Sequence, residues 1–144
     1  MVEIRRAVRD DAPRVAQLAS DLGYTTTPES VRAAIDRLSS EEGALFVAGG
    51  DERLIGWIHV YRSRVIQTEP FASVGGLVVD PLSRGAGVGR RLLEAAEQWA
   101  SAAGLTAIRV RSNITRTHAH LFYERRGFDV EKTSYTFIKQ LDDT

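Results

Sequence analysis

The chain has 144 residues, 19 basic and 19 acidic side chains, and no cysteine. That length carries one core and not two, and the missing thiols exclude disulfides, thiolate metal sites and a cysteine acyl-enzyme. A formal net charge of zero gives no electrostatic ground for a nucleic-acid or membrane partner, and no apolar run approaches the roughly 20 residues that span a bilayer.

Residues 2–7 alternate and read as an edge strand. Asp10 or Asp11 then caps a helix running to about Leu22, with Pro13 in its first turn and Gly23 as its stop. Thr27-Pro28-Glu29 opens a second helix that turns Val31, Ala34, Ile35 and Leu38 inward. Residues 44–48 and 54–61 read as a hairpin, and 62–70 as a polar loop. A central strand comes next at 72–79, ended by Asp80-Pro81, because proline lacks a backbone donor. The next helix spans about 86–103, with Val88, Leu92, Ala95, Ala96 and Trp99 at helical period. A strand at 105–111, a helix at about 116–126 and strands at 128–130 and 133–141 complete the reading. The class is α+β, with a mostly antiparallel sheet and helices on both faces. The helical crossover makes the strands at 72–79 and 105–111 a parallel pair. No linker is visible, so 1–144 reads as a single domain. With the opening Val-Glu-Ile-Arg-Arg unlike a secretion signal, a cytoplasmic protein is expected.

Arg84-Gly85-Ala86-Gly87-Val88-Gly89, between a strand and a helix opened by Arg90, carries the chemistry. Strand, glycine-rich turn and helix put unpaired N–H groups at a helix start, where the macrodipole favours anions. Glycine lets a ligand approach the backbone, and Arg84, Arg90 and Arg91 bring donors suited to phosphate oxygens. The pattern is that of a pyrophosphate cradle. A P-loop would end in Gly-Lys-Ser/Thr, and a dinucleotide fold needs an acid on the following strand. Neither is present.

Arg84-x-x-Gly87-x-Gly89 after Val78-Val79-Asp80-Pro81 resembles the coenzyme A signature of the GNAT family of N-acetyltransferases. Ala119-His120-Leu121-Phe122-Tyr123-Glu124-Arg125-Arg126-Gly127-Phe128 resembles that family's second motif, and order and spacing agree over nearly the whole chain. The resemblance implies acetyl-CoA as co-substrate. The main chain of Leu77, Val78 and Val79 would bind its pantetheine arm and thioester oxygen, and residues Arg84, Gly85, Ala86, Gly87, Val88, Gly89 and Arg90 its pyrophosphate. It also implies strands splayed into a V around the coenzyme. Homodimerisation is common among such proteins, with the final strands as contact surfaces.

Acetyl transfer needs donors for the carbonyl oxygen, a neutral amine and a proton for the leaving thiolate. Gly75-Gly76 inside a β-branched strand marks a bulge or close packing, or else a strand that keeps N–H groups free for a ligand; the two are compatible. By resemblance Tyr123 is the acid. Relatives place a glutamate next to the position of Ser73, and serine is no base at neutral pH; the substitutes are Glu69, His59 or a water chain. Asparagine often stands seven residues before the tyrosine, where this chain has Arg116, and Asn113 is the nearest replacement. His118 and His120 do not face each other on a helix, so no metal is expected. Tyr24, Glu69 and His59, with Asp21, Trp57 and Tyr61, fall where relatives build the acceptor site. The wording of the second motif is most similar to members compared with aminoglycoside 6′-N-acetyltransferases. The expectation is an N-acetyltransferase working by direct transfer to a primary amine of a small molecule, such as an aminoglycoside-like compound or a polyamine, or of a protein. Its rival is a non-catalytic acyl-CoA-binding or sensing domain.

Overall fold

Alternation at the N-terminus becomes β1 (Glu3–Arg6), which pairs antiparallel with β2 (Gly43–Gly49), and β2 pairs antiparallel with β3 (Leu54–Ser63). β3 pairs antiparallel with β4 (Phe71–Val79) and β4 parallel with β5 (Ile108–Val110), so the strands lie in chain order across one sheet. The computed structural model describes residues 2–50 and 52–141, in two compact units, 1–110 and 111–144. The sheet belongs to the first.

Two helices, α1 (Ala12–Asp21) and α2 (Pro28–Arg37), cover one face: Val15 and Ala16 of α1 and Val31 of α2 share a core with Leu45 and Val47. On the other face, Val88 and Leu92 of α3 (Val88–Ala102) lie against Gly56 of β3. Ile58, Val60, Leu92 and Leu93 are almost wholly inaccessible. Each such side chain contributes about 1.5–3 kcal/mol on burial, which fixes the face that β3 turns to α3. Among the described residues no helix is long and apolar enough to cross a membrane.

Thr27 caps α2 as its sequence announces: its hydroxyl accepts the Ser30 N–H at 3.1 Å and Ser30 Oγ accepts the Thr27 N–H at 3.3 Å. At α1 the expected cap has other duties. Asp11 stands at the N-cap position but makes no capping bond there, because its carboxylate accepts the Val8 N–H at 2.8 Å and two Arg5 bonds at 2.8 and 2.9 Å. Hydrogen bonds from Arg5 first, and from the Val8 amide, hold the Asp11 carboxyl below its usual 3.8. A depressed carboxylate stabilises the fold above its unfolded pKa, and that stability disappears as pH falls through the folded value. Asp11→Asn is therefore expected to lose about 1–2 kcal/mol at pH 7, kept modest by the 40% exposure of Arg5, and to flatten the acid limb of stability below pH 3.8. Urea melts across pH 2–7 check this; identical acid limbs would contradict it.

Several boundaries moved. α3 begins at Val88 and not at 86, because Gly87 holds a left-handed φ of +78° and serves as its N-cap. A 3-10 turn at Pro81–Ser83, not anticipated, succeeds β4, and β5 keeps only three residues. In the second unit α4 (Thr117–Arg125) ends with the Gly127 N–H on Glu124 O at 3.1 Å and the Phe128 N–H on Tyr123 O at 3.1 Å. The strands expected at 128–130 and 133–141 are not formed: no ladder includes them among the described residues, and an extended segment without a partner has no bonds to define a strand.

Candidate functional site

β4 is bonded to β3 along its length but to β5 only from Ala72 to Val74. From Gly75 to Val79 its β5 side has no strand partner among the described residues, which leaves part of the backbone of Leu77, Val78 and Val79 unpaired on that edge. The register against β3 slips at the same place: Val60 opposes Val74 and His59 opposes Gly76, so Gly75 is an extra residue, a bulge. Both glycines are also sites of close packing. A Cβ on Gly75 would run into the His59 ring, and one on Gly76 would meet the Trp57 ring at 3.0 Å.

Asp80, expected only to end the strand, anchors the loop beyond it. It is buried, its Oδ1 accepts the Leu82 N–H at 3.1 Å, and its Oδ2 receives Arg14 of α1 at 3.1 Å and Arg53 at 3.5 Å. Arg14 Nε also donates to the Leu54 carbonyl at 2.9 Å. One carboxylate thus ties the turn after β4 to α1 and to the β2–β3 hairpin. The Asp-Pro pair signalled the end of the strand, and that much was readable. Arg14, 66 residues away, was not.

Past this carboxylate, the 84–89 loop offers backbone and open space. A Cβ on Gly85 would have nothing within 4 Å, and one on Gly87 would meet only the Arg90 guanidinium at 3.7 Å. No side chain caps α3, so the amides at Val88 and Gly89 face a helix start that favours anions. Arg84 and Ala86 are exposed, and Arg84 has no ion-pair partner among the described residues. Arg90 pairs with Glu94 at 3.3 Å. Arg91, expected among the phosphate donors, instead donates to the Val2 carbonyl at 2.6 Å and is committed to the fold. The remaining set fits a diphosphate: open amides, room where a Cβ would stand, and two exposed guanidiniums.

On the face covered by α1 and α2, His59 is half-buried and stacks on Tyr61, with ring centroids 5.3 Å apart. Burial pushes its pKa below 6.5. Ser73, at the position where relatives carry a glutamate, shares a 2.7 Å hydroxyl–hydroxyl hydrogen bond with Ser63. Tyr24, beyond the end of α1, and Glu69, in the loop before β4, are exposed, and neither hydrogen-bonds His59.

In the second unit, Tyr123 of α4 is half-buried, its ring set edge-on to Phe122 at 5.3 Å and to Phe128 at 5.6 Å. Asn113 uses its side-chain oxygen inside the turn before α4, accepting the Thr115 N–H at 2.9 Å and its hydroxyl at 2.8 Å. Its carbonyl meets His120 Nε2 at 2.9 Å. Arg116 stands exposed at the start of α4 without a capping bond.

Known proteins resemble the chain both in sequence and in fold. The model of the acetyltransferase (GNAT) family matches residues 6–128. Aminoglycoside N(6')-acetyltransferase type 1 of Stenotrophomonas maltophilia is 30% identical over 131 residues, covering 88% of this chain and 85% of that protein. A transcriptional regulator from Bacillus halodurans C-125 is similar in structure with a TM-score of 0.81 at 26% identity, over 96% of this chain and 100% of that one. An aminoglycoside acetyltransferase from an uncultured soil metagenomic sample, solved with trehalose and with sisomicin, has a TM-score of 0.81 at 19% identity over 98% and 97% of the two chains, a likeness of fold alone.

Proposed function

The chain belongs to the acetyltransferase (GNAT) family, and we propose that it moves the acetyl group of acetyl-CoA directly to a primary amine of an aminoglycoside-like small molecule. The observation that carries the coenzyme part is the parting of β4 from β5 after Val74, followed by a capless helix start with open space at Gly85 and Gly87. The outward-facing part of the backbone of Leu77, Val78 and Val79 suits a pantetheine arm and a carbonyl on which charge develops. The loop amides with Arg84 and Arg90 suit a diphosphate. Tyr123 is the proposed proton donor to the leaving sulfur. Absence of cysteine supports direct transfer over a thiol-linked acyl-enzyme. The choice of acceptor rests on the 30% identity to an aminoglycoside acetyltransferase.

A thiol-release assay with acetyl-CoA and a panel of sisomicin, spermidine and a lysine peptide tests this reading. Release is expected with sisomicin well above the others. Preference for spermidine or peptide would move the acceptor class. Acetyl-CoA binding without release from any amine would identify a sensing domain instead.

A further inference from the structure

On β3, residues Trp57, His59 and Tyr61 fall at the period of two that puts side chains on one face. Trp57 packs against the core beneath α1 and α2, whereas Tyr61 is 38% exposed. His59 lies between, where the covered face becomes an open one. Its strand neighbours leave it bare: β4 places Gly75 and Gly76 beside it, and β2 places Leu45 opposite. The atom nearest to the position of a Gly75 Cβ is its Nδ1, so the imidazole edge leans on the bulge itself. Neither ring nitrogen has a hydrogen-bond partner among the described residues. Histidines held for structure usually bond at least one nitrogen.

We propose that His59 accepts the proton of the acceptor amine during acyl transfer, its ring fixed by Tyr61 against the bulge at Gly75. The assignment rests on the acetyl-transfer function proposed for the chain. Its rivals are otherwise placed: Ser73 is engaged with Ser63, and Glu69 sits exposed on a loop. Tyr61 is the titratable group stacked on the ring, β2 and β4 face it with Leu45, Gly75 and Gly76, and no charged side chain contributes to its shift. Burial alone keeps the imidazole neutral at pH 7, with a lone pair to offer.

The step balances without another reactant. The amine nitrogen bonds to the acyl carbon of the thioester as the carbon–sulfur bond breaks and its electron pair leaves on sulfur. The nitrogen, acidic once that bond forms, passes its proton to the imidazole; the thiolate regains a proton from Tyr123 or solvent, and the imidazolium returns its own to water. An alkylammonium near pKa 10 is no substrate for this base. The amine must enter neutral.

His59→Gln, which keeps the size and polarity of the side chain without its basicity, tests the proposal. With sisomicin, turnover is expected to fall about 10²-fold, while acetyl-CoA affinity by calorimetry stays unchanged. In the wild type, log kcat/KM against pH should steepen below the His59 titration; the variant should keep one slope. Independently of turnover, the NMR signal of the His59 ring should titrate below about 6.5 and shift when sisomicin is added with coenzyme A. Unchanged turnover and slope in the variant overturn the assignment and leave the coenzyme reading standing. A wild-type chain that binds no acetyl-CoA overturns both. Should the variant not fold, the wild-type ring decides: a signal indifferent to sisomicin overturns the proposal.

Discussion

Tyr123→Phe is expected to lower turnover by about 10²-fold or more while leaving acetyl-CoA affinity unchanged. Phe122 and Phe128 meet the Tyr123 ring edge-on, and a phenyl group keeps both contacts. Only the hydroxyl is removed. Among free side chains a phenol, near pKa 10, is a weaker acid than a thiol, near 8.5. The hydroxyl is therefore expected to act by a hydrogen bond that strengthens as charge gathers on sulfur. Steady-state thiol release paired with calorimetric titration separates the two effects. A variant with wild-type turnover would take Tyr123 out of the chemistry, and one that loses coenzyme affinity would make it a binding residue.

Gly87→Ala is expected to raise the KM for acetyl-CoA at least tenfold, a loss of about 1.4 kcal/mol or more in binding. Strain alone is an inadequate rival, and the molecule supplies its own control. Gly104, at the far end of α3, has a φ of +81° against +78° at Gly87, and a Cβ there would have nothing within 4 Å. Alanine at either place costs about 1–2 kcal/mol of backbone strain, so the two variants should melt alike. Only the one at Gly87 puts a methyl group where a diphosphate would approach the loop amides. Equal coenzyme KM values in the two variants would show that the loop does not hold the coenzyme by its backbone.

What the sequence disclosed divides along a physical line. Features written in adjacent residues were legible: the Thr27–Ser30 cap, the apolar period of α3 and the glycine turn before it. The parallel pairing of β4 with β5 was legible too, because a helix between two strands leaves little choice. Features made by distant residues were not. Asp80 looked like a strand terminator because its guanidinium partner comes from α1, and Arg91 looked like a phosphate ligand because its acceptor is the Val2 carbonyl. The lean of His59 on Gly75 depends on a register slip that periodicity does not encode. The misjudged strands at 128–130 and 133–141 make the same point in reverse: alternation describes a segment, while a strand also needs a neighbour.

The extra residue at Gly75 also changes the parity of β4. Ala72 and Val74 share a face with Leu77 and Val79, and Ser73 shares the other with Gly76 and Val78. Drawn out at its present length into a regular strand, β4 would turn every side chain after the bulge over, Val78 toward α3 and Leu77 toward α1, whereas losing one codon at Gly75 would keep both on their present faces. At this length, the bulge is what keeps those side chains on their faces.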